Sequence, residues 1–294
     1  MKRVLILGAQ GQLGIELQSA FHDAGHIIAH GRATCDLSDP SSICAAVREA
    51  RPDLILNAAA YTAVDRAESE PELAMQINGE APGILAEEAK KNNALLIHYS
   101  TDYVFDGSKH DPWVEDDPVH PLNVYGATKL AGERNIQQSG CQFLIFRTSW
   151  VFSPHGHNFL RTMLRLGQER KELNVVNDQK GAPTSALALA TATRRIVDTV
   201  DERGIKHVTG TYHMTCAGQT TWFGFAQSIF QKAQADKSWA SIAGIPASEY
   251  PTPAMRPANS VLSNKKLTAA FEFELPSWEI ALDAALQALD AHRQ

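Results

Sequence analysis

Short apolar runs alternate with longer segments of helical periodicity along the first half of the chain. Residues 4–8 form an apolar run that ends in Gly8, and residues 14–24 have the spacing of a helix. Because a strand that is apolar at every position is buried on both faces, this alternation predicts parallel βαβ units. Further strands are predicted at 26–30, 53–57, 95–100 and 142–148, and further helices at 40–51, 82–91 and 125–138.

The pattern loosens after Trp150, and no linker marks a boundary. A last helix is predicted to begin near Pro276 and Ser277, ahead of Glu279. We therefore predict an α/β fold with a Rossmann-type doubly wound parallel sheet and a smaller, interleaved C-terminal domain. The first domain comprises residues 1–150 plus about 174–217, and the second comprises about 151–173 plus 218–294. Within this part, helices are predicted at 159–170 and 185–201, strands at 174–177 and 212–216, and a Pro-rich loop at 250–257.

Composition narrows the class of protein. With 294 residues, 44% of them hydrophobic and 20% charged, the chain can bury a sizeable core, which excludes global disorder. Its 27 Lys and Arg against 33 Asp and Glu give a net charge of −6, which argues against nucleic acid as a partner. No apolar run reaches the roughly 20 residues that a membrane helix needs. We therefore expect a soluble, cytoplasmic protein with no membrane partner.

A glycine-rich loop follows the first predicted strand. Gly8, Gly11 and Gly14 lie between that strand and the helix after it. In such loops glycines permit a tight turn and close approach of the backbone to a pyrophosphate, while the helix N-terminus supplies N–H groups. A turn without a ligand could carry the same spacing, but the order of strand, loop and helix favours a dinucleotide site.

The end of the second predicted strand indicates which dinucleotide is bound. NAD-binding proteins place Asp or Glu there for the ribose 2′-hydroxyl, whereas an Arg accommodates a 2′-phosphate. Here the strand runs into Gly31 and Arg32, and the first carboxylate is Asp36. The pattern favours NADPH, with NADH as the alternative. A solvated loop position is the other interpretation of Arg32.

A candidate catalytic set follows from spacing and order along the chain. Tyr125 and Lys129 lie four residues apart in a predicted helix and so share one face. Because a nearby ammonium stabilises a phenolate, we expect Lys129 to lower the pKa of Tyr125 from its usual value of about 10. Ser100 and Thr101 end the preceding strand, at the sheet edge where open α/β proteins carry their chemistry. A hydroxyl at this edge suits a substrate carbonyl.

The glycine loop together with Thr101, Tyr125 and Lys129 resembles the pattern of extended short-chain dehydrogenases/reductases. The flanking segments are more specific and resemble the dTDP-4-dehydrorhamnose reductase family: residues 57–65, 99–105, 121–126, 146–151 and 256–260. The resemblance runs from residue 1 to about the end of the chain. It implies reduction of the C4 ketone of dTDP-4-dehydro-β-L-rhamnose by NAD(P)H, the last step of dTDP-L-rhamnose synthesis for glycans such as O-antigen.

The resemblance also implies roles for individual residues. Tyr125 would donate the proton to the C4 oxygen, and Thr101 would hydrogen-bond that oxygen. Lys129 would hold the nicotinamide ribose and tune Tyr125. The residues that match positions along the cofactor are Gly11, Gln12, Leu13, Asp36, Leu37, Ala60, Tyr61 and Thr62.

Three further residues are candidates for contacts to the dTDP-sugar substrate. Asp102 and Trp150 match substrate-contact positions of the family. Arg256 is a candidate contact to the diphosphate, since that anion suits a fork-like donor, although a surface arginine in a Pro-rich loop is the alternative.

Metal binding and dimerisation are linked in this family, in which some members bind Mg²⁺ through glutamates at a subunit contact. Glu16 matches one such position, but Leu187 stands where another glutamate is expected. Because a hard cation relies on oxygen ligands, we predict no metal and expect Glu16 to be an ordinary exposed helix residue. A homodimer stays open. Four widely spaced cysteines predict neither a zinc site nor disulfides: Cys35, Cys44, Cys141 and Cys216.

Several alternatives remain at this point. A 4,6-dehydratase would carry an Asp-Glu pair after the catalytic threonine, whereas here Asp102 is followed by Tyr103, so dehydration lacks its base. A 4-epimerase or a reductase of a different sugar nucleotide would keep the Tyr/Lys pair. A non-catalytic regulatory subunit that binds a dinucleotide, such as that of methionine adenosyltransferase, resembles the same family.

Overall fold

A six-stranded parallel sheet forms the centre of the computed structural model, which describes residues 2–205, 208–233 and 239–291. Each pair of neighbouring strands in this sheet is parallel, which confirms the predicted Rossmann-type α/β class. In spatial order the strands are β2 (His26–His30), β1 (Arg3–Leu7), β3 (Leu54–Asn57), β4 (Leu95–Thr101), β5 (Gln142–Thr148) and β10 (Gly210–His213).

Helices cover both faces of the sheet. In chain order they are α1 (Gln12–Ala20), α2 (Pro40–Ala50), α3 (Val64–Ala67), α4 (Pro71–Met75), α5 (Ala81–Lys91), α6 (Val124–Ser139), α7 (Phe159–Glu169), α8 (Ala186–Arg203), α9 (Trp222–Ala233), α10 (Lys265–Phe271) and α11 (Trp278–Ala291). A π-helical turn, Gln76–Glu80, joins α4 to α5, and short 3-10 turns occupy Asp102–Val104 and Ala247–Glu249. Within the described ranges, no helix is long and apolar enough to cross a bilayer.

Side chains of β1 alternate between two buried clusters, which explains its continuous apolar run. Val4 and Ile6 belong to the cluster that contains α1 and α8 side chains, whereas Leu5 and Leu7 belong to the cluster that contains those of α2 and α5. The four side chains are at most 1% exposed. Both faces of the sheet are therefore covered, as parallel strands require.

The start of α6 fixes the positions of Tyr125 and Lys129. Asn123 caps the helix, because its Oδ1 accepts a hydrogen bond of 2.8 Å from the Gly126 N–H. A Cβ at Gly126 would lie 2.2 Å from the Tyr103 carbonyl oxygen, so glycine lets the helix approach the turn that follows β4. Tyr125 thus lies in the first helical turn, with Lys129 one turn later, at the carboxyl end of β4.

In the part of the chain that the structure describes, six further strands lie outside the central sheet: β6 (Val151–Phe152), β7 (Glu172–Val176), β8 (Lys180–Gly181), β9 (Thr184–Ser185), β11 (Thr220–Thr221) and β12 (Ser241–Ile245). They pair as β6 with β9, β7 with β12 and β8 with β11. Of these, sequence analysis predicted β7 alone. Residues 149–209 separate β5 from its sheet neighbour β10. The division into two interleaved domains at the stated residues stays a prediction.

Three predicted elements differ from the structure. The helix predicted at 14–24 begins and ends earlier, as α1 (Gln12–Ala20). The helix predicted at 82–91 is the end of a longer helical stretch that begins with α4. The strand predicted at 212–216 ends earlier, because β10 pairs with β5 only as far as His213 opposite Arg147. Met214 and Cys216 are buried by packing in the large cluster that includes α8, which produces an apolar pattern without strand pairing.

Candidate active site

A cleft of about 660 Å³ runs along the carboxyl ends of β1, β3, β4 and β5. Strands β2 and β3 lie on opposite sides of β1, so the order of strands reverses direction at β1. Open α/β sheets bind ligands at such a switch point. Among the predicted cofactor residues, Gly14 alone does not line the cleft. Those that do are Gly8, Gly11, Gln12, Leu13, Arg32, Asp36, Leu37, Ala60, Tyr61, Thr62, Tyr125 and Lys129.

The glycine loop has the geometry that a pyrophosphate group requires. Gly8 has a φ of +81°, and a Cβ there would lie 2.8 Å from the Ala59 nitrogen, so glycine lets the loop pass close to the end of β3. Gly11 caps α1 without a side-chain hydrogen bond. The first N–H groups of this helix therefore face the cleft without a side-chain acceptor, which is a favourable site for an anion. These features fit a dinucleotide.

Arg32 and Asp36 lie together at the rim of the cleft. The Arg32 side chain is 76% exposed, with its Nε 3.8 Å from an Asp36 oxygen. Asp36 instead accepts hydrogen bonds of 2.9 and 2.8 Å from the backbone and hydroxyl of Ser38, and these lower the pKa of the carboxyl. The guanidinium of Arg32 is therefore exposed to a ligand, whereas the neighbouring Asp36 carboxylate is already hydrogen-bonded to Ser38.

The phenol of Tyr125 is enclosed at the far end of the cleft. Burial and the nearby Asp102 carboxylate raise the pKa of Tyr125 to about 12, and a hydrogen bond with the Thr101 hydroxyl opposes this. The expectation that the pKa of Tyr125 lies below its usual value of about 10 is wrong for the protein without cofactor, because desolvation of the phenolate outweighs the hydroxyl contact. Tyr125 therefore keeps its proton at neutral pH, as a proton donor must.

Lys129 is buried behind Tyr125 and bound on two sides. Its Nζ donates to the Tyr99 carbonyl oxygen at 2.7 Å and lies 3.3 Å from His98 Nε2, whose Nδ1 lies 3.0 Å from Asn57 Nδ2. Burial lowers the pKa of Lys129 to about 8, against the charge of Glu133 one helical turn later. Burial also holds the pKa of His98 well below its usual value. A neutral imidazole thus faces a lysine that stays charged at neutral pH.

Asp102 lies in the 3-10 turn that directly follows β4, close to Ser260 of the C-terminal part of the chain. Its Oδ1 accepts a hydrogen bond of 3.0 Å from the Thr101 hydroxyl, and the residue is 3% exposed. Burial raises the pKa of Asp102 to about 7, although hydrogen bonds from Ser260 and Thr101 favour the ionised form. This carboxyl therefore changes protonation near neutral pH.

This raised pKa predicts a stability difference between the wild type and Asp102→Asn. The folded protein binds the Asp102 proton more tightly than the unfolded chain, so it loses stability as the pH rises from about 4 to about 7. The variant has no proton to lose, and its amide keeps an acceptor for Thr101. We expect the free energy of unfolding of the wild type, minus that of the variant, to fall between about pH 4 and about pH 7. Parallel curves in urea titrations would contradict this.

The corresponding control is Asp106→Asn. Hydrogen bonds from Ser108 lower the pKa of Asp106, so its contribution to stability is present at neutral pH. That contribution is lost only as the pH falls below about 4, in the opposite direction to the Asp102 effect.

Arg256 is already paired within the protein. Its Nη2 donates to Asp65 Oδ2 at 2.8 Å and its Nη1 to the Ala254 carbonyl oxygen at 3.2 Å. It also hydrogen-bonds Tyr103, whose ring packs edge-on against Tyr125 with centroids 5.7 Å apart. Arg256 does not line the cofactor cleft, but it is connected through Tyr103 to the catalytic tyrosine. Its contact to a diphosphate stays a prediction.

Trp150 lies beyond the end of β5, outside the lining of the cofactor cleft. Its φ of 48° is unusual for a residue with a side chain, and its ring stacks on Trp222 with centroids 3.6 Å apart. The two rings form a rigid aromatic pair at this end of the molecule. A substrate contact of Trp150 stays a prediction.

Glu16 differs from its predicted environment. Its side chain is 12% exposed and lies 3.6 Å from His155 Nε2, so the expectation of an ordinary exposed residue is wrong. Burial raises the pKa of this carboxyl. Leu187 is 46% exposed. Among the residues that the structure describes, no three His, Cys, Asp or Glu side chains cluster as metal ligands do.

Sequence analysis missed an ion pair that joins α6 to β5. Arg147 donates to Glu133 through Nε at 3.0 Å and through Nη2 at 2.7 Å, and Ser100 Oγ donates to the same carboxylate at 2.5 Å. Arg147 is 5% exposed and Glu133 is 1% exposed. The sequence does show that Glu133 lies four residues after Lys129, on the same face of one helix. It gives no sign of the partner Arg147, which lies on strand β5.

Comparisons with known proteins agree with this geometry. The RmlD substrate binding domain family matches residues 1–291. The dTDP-4-dehydrorhamnose reductase of Burkholderia thailandensis is 47% identical over 294 residues, covering 98% of this chain and 99% of the relative. That of Salmonella typhimurium is 45% identical over 290 residues, covering 96% of each chain. The crystal structure of the Bacillus anthracis dTDP-4-dehydrorhamnose reductase in complex with NADP has a TM-score of 0.90 at 34% identity, covering 98% of this chain and 99% of that one. The chain belongs to the dTDP-4-dehydrorhamnose reductase family.

Proposed function

We propose that the protein reduces the C4 ketone of dTDP-4-dehydro-β-L-rhamnose to give dTDP-L-rhamnose, with NADPH as cofactor. The observation that carries the proposal is Tyr125, whose pKa of about 12 keeps the phenol protonated, close to Thr101 at the end of a dinucleotide cleft. The relatives named above carry this activity in their names, and the Bacillus anthracis structure contains NADP. Bound NADPH supplies a hydride for the ketone carbon.

The residues around the ketone move and hold one proton. Tyr125 donates its phenolic proton to the C4 oxygen, because at a pKa of about 12 it is protonated at neutral pH. Thr101 hydrogen-bonds the same oxygen as negative charge develops on it. The Lys129 ammonium, bound to the Tyr99 carbonyl, then stabilises the phenolate that Tyr125 leaves behind. The charge of Glu133 keeps Lys129 protonated for this role.

A direct assay tests the proposed function. Purified protein is mixed with enzymatically prepared dTDP-4-dehydro-β-L-rhamnose and either NADPH or NADH, and cofactor oxidation is followed by ultraviolet absorbance. We expect rapid oxidation with dTDP-L-rhamnose as the product, identified by NMR. Epimerisation without net oxidation would indicate a 4-epimerase. Binding of the cofactor without oxidation would overturn the proposal in favour of a different sugar or a regulatory subunit.

The Arg32→Ala variant tests how the cofactor is selected. Because the Arg32 guanidinium is open at the cleft rim, we propose that it binds the 2′-phosphate of NADPH. Its loss should weaken NADPH binding by about tenfold and leave NADH binding unchanged, as measured by calorimetry. Arg165→Ala is the matched control, because Arg165 is also exposed and has a carboxylate four residues on, Glu169, but lies outside this cleft. An equal loss for both cofactors would refute this contact.

Two wider aspects of the function are also proposals. We place the reaction in the cytoplasm, which the use of NADPH and a nucleotide sugar supports. A homodimer is compatible with the family resemblance, but the exposed Leu187 argues against a contact bridged by Mg²⁺ at that position.

A further inference from the structure

Thr148, the last residue of β5, has a buried hydroxyl without a hydrogen-bond partner. The residue is 7% exposed, and no group in the described ranges bonds to its Oγ1. Neighbouring hydroxyls are all bonded: Ser100 to Glu133, Thr101 to Asp102, and Ser149 and Thr184 to the Ala182 carbonyl oxygen. Five buried side-chain polar atoms lack a partner in the described ranges, and Thr148 alone among their residues lines the cofactor cleft. Because buried polar groups are normally paired, this hydroxyl calls for a ligand in the cleft.

The position of Thr148 indicates which part of the ligand it meets. Thr148 lines the dinucleotide cleft and lies opposite Thr101 in the β4–β5 register. The phosphate-binding loop follows β1, three strand positions away, and neighbouring strands are about 4.8 Å apart. Arg32 and Asp36, at the adenosine end of the cleft, follow β2 on the opposite side of that loop. A dinucleotide that extends across the strand ends therefore brings its nicotinamide half to β4 and β5.

We propose that the Thr148 hydroxyl binds the carboxamide of the nicotinamide ring, an inference that rests on the proposed function. The carboxamide is the polar substituent of the ring, and it offers both a donor N–H and an acceptor oxygen to a hydroxyl that can do either. Lys129 and Tyr125 line the same end of the cleft. Such a contact fixes the rotation of the ring about its glycosidic bond, and so determines which ring face is turned toward the ketone.

The test compares Thr148→Val, which removes the hydroxyl at nearly constant volume, with Thr148→Ser, which keeps it. Binding is measured by calorimetry with two probes: NADPH, and 2′-phospho-ADP-ribose, which has no nicotinamide ring. We expect Thr148→Val to weaken NADPH binding about fivefold and to leave 2′-phospho-ADP-ribose binding unchanged. Thr148→Ser should bind both probes as the wild type does.

Thermal unfolding without cofactor provides the second readout. Thr148→Val replaces an unpaired buried hydroxyl by a methyl group, so its Tm should equal or exceed that of the wild type. A lowered Tm would mean that the hydroxyl has a structural partner and would overturn the inference. Unchanged NADPH binding in Thr148→Val, or an equal loss of affinity for both probes, would also overturn it. A variant in which NADPH binding is unchanged and only the KM for the sugar nucleotide rises would overturn it as well, because the hydroxyl would then contact the substrate. Failure of the wild type to bind NADPH would instead refute the proposed function.

Discussion

The Tyr125→Phe variant is expected to turn over about 10²- to 10⁴-fold more slowly than the wild type while binding NADPH with unchanged affinity. Tyr125 lies beside Thr101, and its pKa of about 12 means that the phenol holds one proton at neutral pH. Phenylalanine keeps the ring and its edge-on packing against Tyr103 but has no proton to give. Steady-state rates with the sugar nucleotide and calorimetry with the cofactor measure the two properties separately.

The matched control for this prediction is Tyr212→Phe. The Tyr212 hydroxyl also makes a hydrogen bond in the folded protein, to the Val208 carbonyl oxygen at 2.9 Å, but it lies on β10 outside the cleft lining. Loss of that hydroxyl should lower stability slightly and leave turnover intact. Undiminished turnover in Tyr125→Phe would remove the proton-donor assignment, and loss of cofactor binding would show that the variant disrupts the cleft itself.

The second large effect is on stability. Arg147→Met is expected to lower the free energy of unfolding by about 3–5 kcal/mol, because it leaves the Glu133 carboxylate buried without its cation. Glu133 is 1% exposed and accepts three hydrogen bonds from Nε and Nη2 of Arg147 that hold α6 on β5. Urea unfolding at neutral pH measures the loss.

Two further variants separate this mechanism from a general loss of packing. Arg203→Met breaks an exposed ion pair with Glu272, and exposed pairs contribute about 0–1 kcal/mol. Adding Glu133→Leu to Arg147→Met removes the uncompensated charge, so the double variant should be more stable than Arg147→Met alone. A double variant that is less stable than the single one would contradict the argument.

Local patterns were sufficient to predict the sheet and much of the cleft. The run Val4–Leu7, the glycine loop and the helix containing Tyr125 and Lys129 depend on residues close together in the chain, so periodicity and spacing revealed them. Strand β12 was missed because its side chains are mostly exposed and its partner β7 is distant in sequence. The short strands of two residues carry no periodic signal.

The electrostatics of the site could not be predicted in the same way. Spacing placed Lys129 beside Tyr125, but the pKa of Tyr125 depends on its burial and on Asp102, which only the folded chain determines. The pairing of Arg256 with Asp65 joins residues far apart in sequence, and neither residue type indicates its partner. The unpaired hydroxyl of Thr148 is likewise defined by what surrounds it in the fold.

The order of strands in the sheet also bears on how the protein is synthesised. Strands β1 to β5 leave the ribosome before residues 149–209 and before β10, which pairs with β5. During that interval the β5 edge presents unpaired main-chain groups, and Leu144 and Phe146 lack the α8 side chains that belong to the same buried cluster. A nascent chain that pauses in this window therefore exposes a strand edge that can pair with other chains until β10 docks on β5.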